Sequence, residues 1–394
     1  MSAAAVERRS RPARRRVGVN LLWLVPGVVG GSEEYATRLL AAWADEGPDD
    51  LELVLFALAP FVRAHPDLAA RFEVRTLGVD GRNKVLRVAA ESTWLAVAAR
   101  RAGVELVHHL GGRMPAVRTT PGVVTVHDLQ PLDLAANFSV VKRRFLAWSL
   151  PRSLRRARHV MTVSEFVRAG CIARGADPAR TSVVSAPAPA PRAVGPEPPA
   201  DLPDDLRVLA GATAGSRPWF VYPGITYHHK NHVTLVRAVA VLRRRGVEAR
   251  LVLPGGRGGA EPALQAAVDE LGVRDLVVRP GRVSPPVLDW LVANAAALAF
   301  ASCYEGFGLP AVEAMALGCP VVAADVPALR EVVGDAGVLV DPTDPDAWAD
   351  ALAARLRDEP PRAETAARGR ARLGAWAGPE MVRRLAAAYR AALP

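Results

Sequence analysis

Lysine is almost missing from this chain: Lys84, Lys142 and Lys230 are the only three, so the net charge of +10 rests on arginine. A basic balance favours anionic partners, yet no helix-turn-helix, zinc-finger or aromatic-basic sheet motif is present, which argues against nucleic acid. Nucleoside diphosphates and anionic lipids suit the charge better, and a codon bias that inflates Arg, Ala, Gly and Pro together is an equally sufficient source. Cysteine is scarce too. Cys171, Cys303 and Cys319 form an odd, widely spaced set that fits neither a disulfide framework nor a metal site, so a reducing cytoplasm is expected. No run of 18 or more apolar residues marks a membrane span, no secretory signal is visible, and no internal repeat of about 20–50 residues emerges. Without secretion, the sequon Asn137-Phe138-Ser139 is a chance match.

At 394 residues the chain exceeds a single core, and two domains of about 180 residues each are expected. Residues 1–16, with six arginines, read as a disordered basic tail. Strand and helix then alternate through Val17–Val25, Glu34–Trp43, Leu51–Phe56, Val85–Ala102, Leu106–His109 and Val123–Val126, a doubly wound pattern for an N-terminal domain over 17–184. Between Ser185 and Pro203 the sequence SAPAPAPRAVGPEPPADLP is too rich in proline for a helix or central strand, so 185–217 is expected to be an extended linker. Alternation restarts with Trp219–Pro223, His232–Arg245, Ala249–Leu253, Ala260–Leu271, Val277–Arg279 and Ala297–Ser302, giving a second parallel sheet in a domain over 218–375. The amphipathic segment Pro379–Leu393, within 376–394, closes the chain.

The most informative string is YEGFGLPAVEAM, Tyr304–Met315. It follows a buried strand, starts a helix at Pro310 and stops near Gly318. The amides of Gly306, Phe307, Gly308 and Leu309 would face the helix entrance, where unpaired donors and the macrodipole favour a phosphate. Glu305 in the loop and Glu313 in the helix can each accept from hydroxyls, so the pair could grip two polyols of one ligand with the phosphate between them. Solvated carboxylates at a structural helix start are the plainer alternative.

This string resembles the Glu-x7-Glu motif of the family 4 retaining glycosyltransferases. The resemblance implies a GT-B fold: two Rossmann-like, doubly wound domains facing a cleft, with a final helix crossing back to the first domain. It implies that Glu305 contacts the transferred sugar and Glu313 the ribose. Gly30 and Gly31, before a helix opened by Ser32 with Glu34 close behind, resemble the family's Gly-Gly loop against the donor phosphate; a tight structural turn is the competing reading. His127 and Asp128 end a buried strand at the carboxyl edge, where ligands bind in open α/β sheets. In the family a His there contacts the sugar, and Asp128 would orient the loop or touch acceptor. His108 and His109, beside Gly111 and Gly112, are further acceptor-side candidates.

In YPGITYHHKNH, Lys230 would place a point charge on the donor diphosphate, as relatives do to stabilise the leaving group. Relatives carry an Arg five residues earlier, but Ile225 stands here, so His228, His229 or Arg282 is left to supply a second donor. Arg282 and Val283 lie where relatives contact the base. Ser164 reads as a helix cap with Val167 on its inner face. The stretch from Val140 to Arg158 interleaves arginines with Phe145, Leu146, Trp148 and Leu150, suiting either a face packed on the first domain or an anionic membrane surface.

The resemblance therefore implies a metal-independent, retaining transferase that needs no cofactor and moves a hexosyl group from GDP-mannose or a UDP-hexose. The expected acceptor is a glycan, a glycolipid or a small molecule, and the expected location is the cytoplasm, either free or peripheral at the inner membrane face. A sugar-nucleotide epimerase of the same fold and a catalytically silent nucleotide-sugar-binding module are the alternatives.

Overall fold

A computed structural model describes residues 14–28, 30–134, 139–210 and 217–394. The expected tail up to residue 13, the first two residues of the sequon and linker residues 211–216 lie outside these. The described residues form thirteen strands in two sheets, parallel throughout. The first contains β1 (Arg15–Asn20), β2 (Leu51–Leu58), β3 (Glu73–Leu77), β4 (Leu106–His109), β5 (Gly122–Val126), β6 (Val160–Thr162) and β7 (Thr181–Val183), in the order β3-β2-β1-β4-β5-β6-β7. The second contains β8 (Trp219–Val221), β9 (Arg250–Val252), β10 (Val277–Val278), β11 (Ala297–Phe300), β12 (Val321–Ala324) and β13 (Val338–Val340), in the order β10-β9-β8-β11-β12-β13. Both sheets reverse direction of growth once, between β1 and β4 and between β8 and β11. Central strands such as β2, LELVLFAL, and β11, ALAF, are apolar on both faces because helices cover both.

Several boundaries differ from the sequence expectation for identifiable reasons. Arg15 and Arg16, placed in the tail, belong to β1: Arg15 pairs with Glu105 at 2.7 Å and Arg16 with Glu52 at 3.2 Å, so carboxylates flanking the neighbouring strands hold them in the sheet. Strand β1 stops at Asn20, whose side chain accepts from the Leu22 amide at 3.1 Å and bends the chain. The expected helix Val85–Ala102 is two, Lys84–Ser92 and Trp94–Arg101. At the break the Thr93 hydroxyl donates to the Ala89 carbonyl at 2.9 Å, the local competition that makes Thr a poor helix interior residue.

The proline-rich segment carries no helix or strand from 184 to 203, but Asp204–Leu206 forms a single turn and Arg207–Ala210 a short helix inside the expected linker. It is tied down along the second sheet. Trp290 Nε1 donates to the Pro196 carbonyl at 2.9 Å, and Arg192 pairs with Asp289 at 2.6 Å. The Ala188 amide donates to the Trp376 carbonyl at 2.8 Å, so the two segments that cross between the sheets lie side by side.

The last helix, Gly378–Ala392, packs on the first sheet's helix Gly31–Glu46. Tyr389 meets Trp43 edge-on at 5.6 Å and joins its hydroxyl to His108 Nδ1 at 2.7 Å, and Arg390 pairs with Asp50 at 2.7 Å. The crossing back expected from the resemblance is thus built from a buried Tyr–His bond and an exposed ion pair.

Candidate functional site: a cleft between two switch points

In an open parallel sheet, adjacent strand ends leave a crevice where the order reverses, and ligands bind at the carboxyl ends there. The segments that leave these ends are 21–28 with Gly30 after β1, 222–231 after β8 and 301–308 after β11. They carry Gly30, Lys230, Glu305, Gly306, Phe307 and Gly308.

Lys230 and Glu305 are brought together from two of these loops: Nζ donates to Oε1 at 2.6 Å, with the side chains 19% and 14% exposed. Their loops are zipped to one another, since the His229 carbonyl accepts from both the Cys303 amide at 2.7 Å and the Ser302 hydroxyl at 3.2 Å. His228–Lys230 forms a single 3-10 turn that ends on Asn231, in the left-handed region at φ 56°. The Asn231 side chain anchors the turn to the Pro342 carbonyl at 2.7 Å. His229 does not supply positive charge: burial, then Lys230, pull its pKa down to about 4. His228 is exposed at the surface of the same turn.

Helix Leu309–Ala316 begins one residue before the expected Pro310, from Gly308 at φ 120°. The amides of Gly306, Phe307, Gly308 and Leu309 have no acceptor among the described residues, while the Gly306 carbonyl accepts from the Ser164 hydroxyl at 2.6 Å. The side chains of this string divide by role. Phe307 is buried edge-on against Trp376 at 5.4 Å, so only its amide can face a ligand. Leu309 packs on the core and would lie 3.4 Å from a Cβ on Gly31, which sets the glycine pair of the first domain against the helix start of the second. Gly30 is at φ 62° and ends the loop as the helix cap; Ser32, expected to cap, lies inside the first turn.

Glu313, the expected ribose ligand, is gripped from the other domain: Arg38 Nη2 donates to it at 2.6 Å, and Arg38 Nε to Glu34 at 2.6 Å. Burial raises the Glu313 pKa, and Arg38 opposes that rise. Arg38 was absent from the sequence candidates, although its place four residues after Glu34 marks the local pair.

His127 lies at the end of β5 with its Nε2–H donating to the Leu110 carbonyl at 2.6 Å, which leaves Nδ1 as the lone-pair nitrogen of the neutral ring. Tyr35 meets the ring edge-on at 4.8 Å and Trp23 lies 6.0 Å away. Burial lowers the His127 pKa to about 4. The adjacent Asp128 is exposed and accepts from the Gln130 amide at 3.0 Å, the loop-orienting role considered from sequence.

His109 and His108 do not belong to the cleft surface. His109 is 2% exposed inside the first sheet, its Nδ1 3.2 Å from Asn20 Nδ2, and burial pulls its pKa down to about 3. His108 is held between Tyr389 and Thr125. Both rings are thus buried at the end of β4, away from Lys230 and Glu305 on the other sheet's loops.

Contacts across the cleft complete the arrangement. Ser164 caps helix Glu165–Ala173, accepting from the Val167 amide at 3.2 Å as expected, and also makes the bond to Gly306 that sequence did not foretell. The Tyr304 hydroxyl donates to Asp133 at 2.7 Å and accepts from the Leu129 amide at 3.2 Å. Glu331 accepts from the Glu165 amide at 3.0 Å. Arg282, exposed after β10, donates to the Gly27 carbonyl at 2.8 Å. Val283, beside it, is half-buried against the core. Among the described residues no group of three or more His, Cys, Asp or Glu is arranged to hold a metal ion.

Sequence comparison matches residues 29–187 to the family model described as Glycosyltransferase Family 4, and residues 211–372 to the one described as Glycosyl transferases group 1. O-antigen chain mannosyltransferase B of Escherichia coli is 34% identical over 254 residues, which are 64% of this chain and 65% of that protein. A D-inositol 3-phosphate glycosyltransferase of Xylanimonas cellulosilytica is 44% identical over 176 residues, 42% of this chain and 40% of that one. The chain thus spans less than two thirds of either relative. Among solved structures, HepE of Anabaena in complex with UDP and glucose superposes with a TM-score of 0.71 over 96% of this chain and all of its own, at 20% identity, a likeness of fold.

Proposed function

We propose, from the premise that the chain belongs to the family 4 glycosyltransferases and carries their GT-B fold, that it transfers a hexosyl group from a nucleoside diphosphate sugar with retention of configuration. The observation that carries this reading is the Lys230–Glu305 pair at 2.6 Å, set beside four open amides at a helix start where two strand ends part. An arriving diphosphate competes for Lys230 and the amides, and the hexose hydroxyls compete for Glu305. As the bond from the anomeric carbon to the β-phosphate oxygen breaks, the electron pair goes to the departing diphosphate, whose charge Lys230 and the helix start stabilise. The acceptor oxygen bonds to the anomeric carbon on the same face, and its proton passes to the leaving phosphate oxygen. His127, neutral at ordinary pH with a fixed ring, holds the sugar without taking that proton.

The donor is GDP-mannose or a UDP-hexose. The mannosyltransferase name of the Escherichia coli relative supports the first, and the UDP and glucose bound to HepE support the second. The acceptor is a glycan, a glycolipid or a small molecule presented from the His127 side. The exposed face of helix Val140–Arg156, where Val141 is 81% and Trp148 53% exposed among Arg143 and Arg144, supports docking on an anionic lipid surface. No helix among the described residues is long and apolar enough to cross a membrane.

A panel of donors screened by thermal shift identifies base and sugar together, because binding stabilises by mass action. With the matching donor, Glu305→Ala and Lys230→Ala are each expected to lower kcat by about a hundredfold or more. Transfer at the wild-type rate in both variants would show that the site lies elsewhere. Interconversion of the donor with no acceptor present would point to an epimerase instead.

A further inference from the structure

Of the cleft cations Lys230, Arg38, Arg279 and Arg282, Arg282 is the one that faces no carboxylate among the described residues. Lys230 faces Glu305 at 2.6 Å, Arg38 faces Glu34 and Glu313, and Arg279 faces Glu261 at 2.6 Å. Each of these binds an anion only by giving up a carboxylate. Arg282 makes no ion pair among the described residues; its sole bond is to the neutral Gly27 carbonyl, in the loop of the first domain that leads to Gly30 and Gly31. A charged phosphate oxygen is a stronger acceptor for a guanidinium than an amide carbonyl, so the exchange is favourable when a diphosphate is present.

The placement of Arg282 is set by the glycine-rich loop after β9. A Cβ on Gly256 would lie 3.8 Å from Arg282 Nε and 3.6 Å from Ile225 Cγ1, so the guanidinium and the Ile225 side chain border one small volume. Ile225 stands five residues before Lys230 on the donor loop and contributes no charge to it. The turn after β10 therefore delivers, beside an apolar residue, the cation that residue cannot supply.

We propose that Arg282 is the second diphosphate-binding cation of this site, and that it leaves the Gly27 carbonyl for a phosphate oxygen when donor binds. The proposal rests on the donor-site reading above. It assigns to the Arg282 side chain a contact with phosphate rather than with the base.

The test is calorimetric binding of UDP, GDP, inorganic pyrophosphate, uridine and guanosine to the full chain. In Arg282→Gln, affinity for the nucleoside diphosphate that the wild type prefers is expected to fall about tenfold or more, with the nucleoside unaffected. Arg282→Lys is expected to fall between the two, since it keeps the charge and loses the planar fork. Adding Ile225→Arg to Arg282→Gln restores most of the loss, because the new guanidinium enters the same volume. Arg282 is exposed, and matched melting curves establish that each variant is folded. Diphosphate affinity within about twofold of wild type in Arg282→Gln, or a loss shared equally by nucleoside and diphosphate, overturns the assignment. So does a double variant that recovers nothing. A wild-type chain that binds none of UDP, GDP or pyrophosphate overturns the donor reading itself, and this inference with it.

Discussion

Gly306 shows how much of the site turns on one missing side chain. A Cβ there would lie 1.9 Å from the His127 carbonyl oxygen, a distance no real contact reaches, so only glycine lets the loop of the second domain touch the strand end of the first. Glu305 and His127, one on each side of the reacting sugar in the proposed mechanism, are aligned through that contact. Gly306→Ala is therefore expected to hold the two loops apart and lower kcat about a hundredfold, the usual cost of an ångström-scale misplacement. Its melting temperature should change little, because each sheet keeps its own core. Steady-state transfer measured beside a melting curve checks this, and unimpaired transfer would mean that the close approach is not needed for turnover. Lys230 was legible for a different reason. In a chain whose cations are nearly all arginine, a lysine in a strand–helix loop stands out, but its pairing with Glu305 was invisible because 75 residues separate the partners.

Among the elements, helix Val140–Arg156 has two halves with different surroundings. Its second half is buried through Ser149, Leu150, Ser153 and Leu154, whereas the first half presents Val140, Val141 and Trp148 to solvent beside Arg143 and Arg144. The buried half is the face packed on the first domain, and the exposed half is the part on which the proposed lipid contact rests. Each arginine near an anionic surface contributes about 1 kcal/mol, and the apolar side chains add insertion. The full chain is expected to sediment with vesicles rich in phosphatidylglycerol, less so at high salt, and Arg143→Glu with Arg144→Glu should abolish the effect. Equal sedimentation with phosphatidylcholine vesicles, or none with either, would remove the membrane reading. Short strands were the elements least visible in sequence. β6, VMT, and β7, TSV, are three residues each, too brief to show alternation, and are strands because β5 supplies hydrogen-bonding partners to β6 and β6 in turn to β7.

Over the whole molecule, buried histidines tie stability to pH. Burial pulls His109 and His232 down to about 3, and His127 and His229 to about 4, from an ordinary value near 6.5. Each ring is neutral when folded and takes a proton more readily when unfolded. Their contribution is complete above about pH 6.5 and is lost as pH falls toward their folded values. Each of His109 and His232, buried and held lowest of the four, is expected to remove up to about 1.4 kcal/mol per pH unit through this window. Urea unfolding followed from pH 7 to about pH 5 reads the slope. A flat profile there would show that these rings are not held neutral by the fold.

The alternation of strands and helices, the division into two parallel sheets and the helix start after Glu305 were legible from the sequence, because they depend on local periodicity, turn chemistry and one specific string. The final helix was visible as amphipathic, but periodicity could not say what it packs against. Only the tertiary structure decided that Glu313 meets Arg38, that Ser164 reaches Gly306 and that Arg282 shares a volume with Ile225. It also decided that His108 and His109, two histidines at a strand end like His127, point into a core. These partners are 57 to 275 residues apart and come together only once the sheets that carry them are assembled, and a strand's two faces are told apart only by what covers them.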